Sequence, residues 1–269
     1  MIKMPILSKI QSDARYIQII GQTTFLCWGI LFLGWQEVAG TMFIALATCL
    51  VMQGIAIFLG WAPLHSLRSA LITGLGLSLL LRVNDPPLMM AAAALAISQK
   101  FLLRWKGYHF WNPANFAIAV LVYCSQDAWV SPAQWGQEIS IMVLIFFLGV
   151  IILKQIHRWD TALFYMTTLA LLVVIRFQWY LGWDFSVSFH QLTTGSFWLY
   201  SLFMITDPMS TPQHKVARRI WAMALAGLTF YLQFFMFIPT AAVWALFVMT
   251  PWVPLINVLN KEKMFSWIK

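Results

Sequence analysis

"LITGLGLSLLLRVNDPP", residues 71–87, reads as a membrane helix that stops too early. From Ser69 to Leu81 run thirteen residues before Arg82, Asn84 and Asp85 interrupt. A helix of that length covers about 20 Å, whereas a bilayer core needs about 30 Å and about 20 residues. A second stretch, "LTTGSFWLYSLFMITDPMSTP" (192–212), repeats the plan. Both begin L-x-T-G and run through apolar residues to Asp-Pro: eleven positions from Gly74 to Asp85, twelve from Gly195 to Asp207. One chain therefore holds two matched helices that both break.

The rest of the sequence makes a bilayer the solvent. Of 269 residues, 61% are hydrophobic and only 10% charged, with a mean hydropathy of +0.77. A soluble domain is about 45–50% apolar and about 25% charged. Fifteen Trp and seven Tyr supply interfacial anchors. Ten apolar spans can be drawn, at 17–35, 40–60, 69–82, 88–104, 114–129, 139–154, 161–181, 191–206, 219–237 and 239–256.

The net charge of +8 sorts along these spans. With the N-terminus inside, 15 of the 17 basic residues fall on the cytoplasmic side, and only Arg82 and Arg176 lie outside. Five of nine acids (Glu37, Asp85, Asp127, Glu138, Asp184) are also outside. This is the positive-inside pattern. It explains the charge without nucleic acid and puts both termini of a multi-pass membrane protein in the cytoplasm. The first span is not followed by a small-residue cleavage site, so it reads as an uncleaved helix.

Ten spans divide into five and five: one membrane domain with repeats at about 13–130 and 138–257 and a short tail at 258–269. Five is odd, so the second half enters the membrane from the other side. Matched discontinuous helices in inverted repeats commonly flank a midplane site, and broken backbone at that depth must be buried or line a cavity. The expected architecture is an all-α membrane protein with broken third helices. Thr73-Gly74 and Thr194-Gly195 are expected to face one another at the centre, their glycines admitting close approach, with Asp85 and Asp207 at the breaks as the ion path.

Other chemistry is sparse. The five histidines fall in loops or at span ends, where a bis-His haem would need them inside, and solvated side chains are expected. Cys27, Cys49 and Cys124 sit singly, without ligand spacing, so no metal site is expected. No hydrolase motif is present, and catalytic residues cannot be named. Gln18, Gln22, Thr23, Gln53 and Gln99 suit interhelical hydrogen bonds. Asn112-Pro113-Ala114-Asn115 should cap and start the fifth helix, with Pro in its first turn. Around it, Lys100, Arg104, Lys106, Trp105, Tyr108 and Trp111 offer cations and flat rings suited to a phosphate or a flavin-like ring; cytoplasmic charge and interfacial aromatics explain them equally well.

Together "DARYIQI" (13–19), "SALITG" (69–74), "FWNPANFAIAV" (110–120), "FMITDPMSTP" (203–212) and "RRIWAMALAG" (218–227) resemble the membrane family that holds the RnfD component of the Rnf complex and the NqrB component of Na+-translocating NADH:quinone reductase. The resemblance implies a ten-helix inverted-repeat fold, membrane electron transport, partner subunits, and a flavin (FMN or riboflavin) for which Asn112 and Asn115 join Thr73, Gly74, Thr194 and Gly195 as expected binding residues. In those proteins S/T-G-A-T in an outer loop carries FMN on its Thr. The corresponding "SQDAWVSPAQWGQEIS" (125–140) has no Thr, so covalent FMN is not expected. "WVSP-x-QWG" and "HQL-x-x-G" are closer to a shorter, UnbU-like branch. The leading expectation is a membrane subunit of an electron-transport complex that couples electron or ion movement. An anchor or assembly subunit, and a small-solute channel or transporter, are the alternatives.

Overall fold

The computed structural model describes residues 13–130, 139–263 and 265. The stretch Ser131–Gln137, on which the covalent-flavin expectation turns, lies outside them, as do Lys3, Lys9, Glu138 and Lys269.

Helices fall on all ten apolar stretches. The first half holds α1 (Arg15–Phe32), α2 (Ala39–Phe58), α3 (Leu67–Leu80), α4 (Pro86–Leu102) and α5 (Pro113–Cys124). The second holds α6 (Ile139–Ile156), α7 (Trp159–Val174), α8 (Phe185–Leu192), α9 (Gly195–Leu199), α10 (Lys215–Phe234), α11 (Ala241–Met249) and α12 (Val253–Leu259). Helix α7 widens into a π-helical turn at Ile175–Tyr180, and α9 does so at Tyr200–Met204. Among the described residues, three continuous helical segments, Trp35–Phe58, Trp159–Tyr180 and Ala241–Leu259, are long and apolar enough to cross a bilayer.

The exterior is apolar and the interior carries the polar groups. Phe58 is 90% exposed, Phe43 72%, Leu171 60% and Trp179 82%, whereas Gln22, Gln53, Gln99, Lys100, Asn115 and Ser201 are buried. Contiguous apolar surface on this scale suits lipid and not water, and buried amides and hydroxyls hold helices together where lipid offers no hydrophobic drive. This is an all-α membrane protein.

Local sequence explains the helix ends. Asn112 caps α5 as expected, its Oδ1 accepting from Asn115 N at 3.1 Å, with Pro113 at the first turn. Helix α3 stops because Leu81–Val83 leaves as a strand, β1, and pairs antiparallel with β4 (Ala128–Val130): Leu81 opposite Val130, Arg82 opposite Trp129. Arg82 then folds back. Its Nη1 donates to Ser78 O (2.7 Å) and Leu81 O (2.9 Å), and its guanidinium lies over the Trp35 ring at 4.9 Å. A cation at the negative end of a helix is stabilising, and here it also meets carbonyls that the break leaves without helical partners. At the other end of the molecule β2 (Arg104–Trp105) and β3 (Tyr108–His109) form a tight hairpin. Its turn residues Lys106 and Gly107 have φ of 49° and 84°, the pair of positive values that a type I′ turn requires.

Helix neighbours recur between the halves. In the first, α1 packs on α3, α2 on α3 and α4, and α4 on α5. In the second, α6 packs on α9, α7 on the Tyr200–Met204 turn and on α10, and α10 on α11. Between halves, α1 meets α6 and α5 meets α11.

Candidate functional site

A narrow cleft runs between the halves, walled by α1, α3, the start of α5, the end of α6, and α9 with the segment after it. Gln18, Gln22, Ser69, Thr73, Asn112, Thr206 and Asp207 give it a polar line among Leu80, Ile152, Leu202 and Phe203. The space open to the centre of a water molecule is about 90 Å³. One water needs about 10–15 Å³ on that measure, so the cleft admits a short file of waters and is too small for a tricyclic ring. Gln22 Oε1, buried and without a partner among the described residues, offers such a water an acceptor.

At one end the cleft shares Arg15, Ser69, His109 and Met209 with a wider vestibule of about 390 Å³. Trp61, Phe101 and Tyr108 line it with Lys100, Arg104 and Gln53. The Trp61 and Phe101 rings stand 6.1 Å apart, and Arg104 lies over Phe101 at 4.9 Å. Charge sorting counts Lys100 with the cytoplasmic charges at the end of the fourth span, where a solvated side chain would be ordinary. Instead it is buried, its Nζ donating to Thr73 Oγ1 (3.1 Å) and Ser69 Oγ (3.2 Å). Those acceptors are what make its burial tolerable. His109 is half-buried, against the expectation of a solvated histidine; burial first, then the charges of Lys100 and Arg104, push its pKa down to about 3. Its ring is neutral at pH 7.

The mouth of the cleft is built by two sequence motifs that meet in space. Asn112 Nδ2 donates to Asp207 Oδ2 at 3.3 Å. Asp207 Oδ1 accepts from Met209 N (3.1 Å), and its carbonyl accepts from Ser210 N (3.1 Å) and Thr211 Oγ1 (3.0 Å). The T-D-P-M-S-T string thus satisfies its own buried, non-helical backbone. Gln213 continues the knot: its Nε2 donates to Pro208 O (2.7 Å), its N to Asn257 Oδ1 (2.8 Å), and its Oε1 accepts from Arg158 Nη2.

A third cavity, about 180 Å³, lies at the opposite end of α3, where Leu80 lines it with Thr194, Ser196, Tyr200, Thr229 and Thr240. The family model for NQR2, RnfD and RnfE matches residues 127–266, which hold the lining of this cavity apart from Leu80, and the Asp207 knot. That is more than half of the chain. The chain belongs to the NQR2, RnfD, RnfE family. A curated relative is the RnfD-type component of the ion-translocating oxidoreductase complex of Stutzerimonas stutzeri, 30% identical over 136 residues, which are 51% of this chain and 38% of that protein.

Within this NQR2/RnfD/RnfE fold the expected site residues separate. Thr73, Asn112 and Asp207 line the cleft together. Gly74 turns from it to α2, where an added Cβ would stand 3.1 Å from Leu46 Cα, so this glycine serves helix packing. Asn115 is fully buried and ties α5 to α11, its Nδ2 donating to Val243 O at 3.2 Å. Thr194 faces the third cavity and caps α9, accepting from Phe197 N at 3.3 Å, with Gly195 buried beside it. The two L-x-T-G strings are therefore not equivalent: Thr73 sits inside a helix and Thr194 starts one. Asp85 is exposed and its side chain caps nothing, unlike Asp207. Among the flanking residues, Lys100, Arg104 and Tyr108 meet in the vestibule. Trp105 and Lys106 line a neighbouring groove, and Trp111 stacks on Phe247 at 5.7 Å. The residues that sequence reading passes over, Trp61 and Phe101, carry no motif, and Gln53 is expected there only as an interhelical hydrogen bonder; only folding brings the three to Lys100.

Proposed function

We propose that this chain is a membrane subunit of an ion-translocating electron-transport assembly. In this reading it is built as ten spans in two inverted five-helix repeats, with both termini in the cytoplasm of a bacterial inner membrane. The observation that carries it is the pairing of a wide, cationic, ring-lined vestibule with a water-sized polar cleft whose mouth is held by Asn112 and Asp207. The recurring helix neighbours support the repeat: α2–α4 corresponds to α7–α10, α4–α5 to α10–α11, and α1–α3 to α6–α9. The α1–α6 and α5–α11 contacts are the self-paired ones that a two-fold axis demands. The vestibule and the third cavity occupy corresponding places in the two halves at opposite ends of α3, as alternate access to a shared centre requires.

A flavin held without a covalent bond fits the vestibule and not the cleft. When bound, it supplies one- and two-electron chemistry. Trp61, Phe101 and Tyr108 would hold its flat ring, and Lys100 and Arg104 would hold a negative charge developing on the ring or present on a phosphate. Thr73 and Ser69 keep Lys100 pointed at the vestibule floor. The cleft, with Gln18, Gln22, Thr73 and Asp207, offers oxygen ligands and ordered water to a proton or small cation.

Gently purified protein with its partner subunits should show flavin absorbance that denaturation releases. Lys100→Met removes a charged hydrogen-bonding group worth about 1.5–3 kcal/mol, so flavin occupancy should fall roughly tenfold or more, while Lys154→Met leaves it unchanged. Colourless wild-type complex from flavin-replete cells overturns the vestibule assignment. The spans are tested separately: reporters fused after Trp35 and after Lys269 should read outside and inside, and an external Lys269 ends the inverted-repeat reading.

A further inference from the structure

Away from the cleft, the N-terminal ends of α7 and α10 enclose a groove of about 390 Å³ lined by His157, Trp159, Asp160, Lys215, Arg218 and Arg219. Its one acid is committed: Asp160 receives Arg218 Nε at 3.0 Å and Nη2 at 2.8 Å. Arg219 is different. Its Nε stands 3.6 Å from Asp160 Oδ2 with no hydrogen bond among the described residues, and its guanidinium lies over the Phe164 ring at 5.4 Å. Lys215 is exposed and Arg219 is partly exposed. With Lys215, Arg218 and Arg219 against the single carboxylate of Asp160, the groove keeps a surplus of two positive charges, and two helices begin here with the positive ends of their dipoles.

The surface directly below is lipid-facing. Trp159 is 54% exposed and Leu163 47% on α7, and Val216 is 55% and Ile220 57% on α10. Each pair is four residues apart, so each forms a stripe running from the groove down its helix. Trp159 at the rim is the ring type that settles at headgroup level.

We infer that this groove binds the phosphate of an anionic phospholipid, its acyl chains lying along the Leu163 and Ile220 stripes. Lys215 and Arg219 hold the phosphate oxygens, and Arg219 is pre-set by Phe164 beneath it. Basic pockets between helices at the cytoplasmic surface suit such headgroups. Only the leaflet rests on the proposed orientation; the binding does not, so the two fail independently.

The test is lipid retention by the full chain in detergent, read by native mass spectrometry after addition of phosphatidylglycerol or phosphatidylcholine, and by thermal shift with inorganic phosphate alone. Wild type should retain phosphatidylglycerol in preference to phosphatidylcholine. The double variant Lys215→Gln/Arg219→Gln should bind it roughly 30-fold more weakly, about fivefold per cation. Lys261→Gln/Lys263→Gln, cytoplasmic cations outside the groove, should match wild type. Equal retention of both lipids by wild type overturns the inference even where the double variant does not fold. Equal retention by all three proteins overturns it too. Stabilisation by inorganic phosphate equal to that by phosphatidylglycerol makes the occupant a free anion and excludes the lipid.

Discussion

Arg218→Ala is expected to cost about 3–5 kcal/mol, the range for stripping one partner from a buried ion pair. Arg218 and Asp160 side chains are each only 4% exposed, and the contact is two-pronged. Removing the guanidinium leaves a buried carboxylate with the Thr161 N–H (3.0 Å) and the more distant Arg219 (3.6 Å) beside it. It also removes the donor to Gln213 O (3.2 Å), which anchors the exit of the Asp207 knot. The loss should appear as a lower melting temperature in detergent and less monodisperse protein. Asp160→Leu/Arg218→Met takes both charges away at similar volume and should recover most of the stability, since a buried pair and an apolar pair are often near-equal in energy. A double variant as unstable as Arg218→Ala would move the role from the ion pair to the Gln213 carbonyl.

What is legible in the sequence follows from what is local. Hydropathy places helices because each must present about twenty apolar residues to lipid, and Asn112 before Pro113 announces a cap because the cap bond spans three residues. The eighth apolar span starts at 191, but helix begins again only at Gly195, because Thr193 and Thr194 interrupt α8 and Thr194 turns its hydroxyl to Phe197 N. Long-range facts are not legible. Nothing near Leu81 signals a strand, because its partner is Val130, and nothing near Gly74 signals Leu46. Lys100 counts with the cytoplasmic charges because charge sorting sees only position along the chain. Its burial depends on hydroxyls at Ser69 and Thr73, one helix away.

Asp85 and Asp207 look like one device used twice, and they divide most sharply on mutation. Asp207→Ala should reduce folded yield and assembly, whereas Asp85→Ala should stay within about 0.5 kcal/mol of wild type, as surface changes do. The reason is what each carboxylate touches. Asp207 receives Asn112 Nδ2 and Met209 N in a segment whose neighbours, from Leu199 to Pro212, are otherwise buried. Hydrogen bonds to a charged group contribute about 1.5–3 kcal/mol each, and an abandoned buried donor adds its own penalty. Asp85 only begins α4: Pro86 and Pro87 set the first turn, and its carbonyl, not its side chain, accepts from Leu88 N at 3.1 Å. Its neighbour Asn84 instead joins the segment after α5, donating to Asp127 Oδ1 at 2.8 Å. Asp207→Asn keeps an acceptor for Met209 N and should fall between wild type and alanine in yield. It lacks the charge that a cation entering the cleft would meet, so any ion-coupled activity should fall further than its yield. Equal behaviour of Asp85→Ala and Asp207→Ala would mean that Pro208, and not the carboxylate, makes the break.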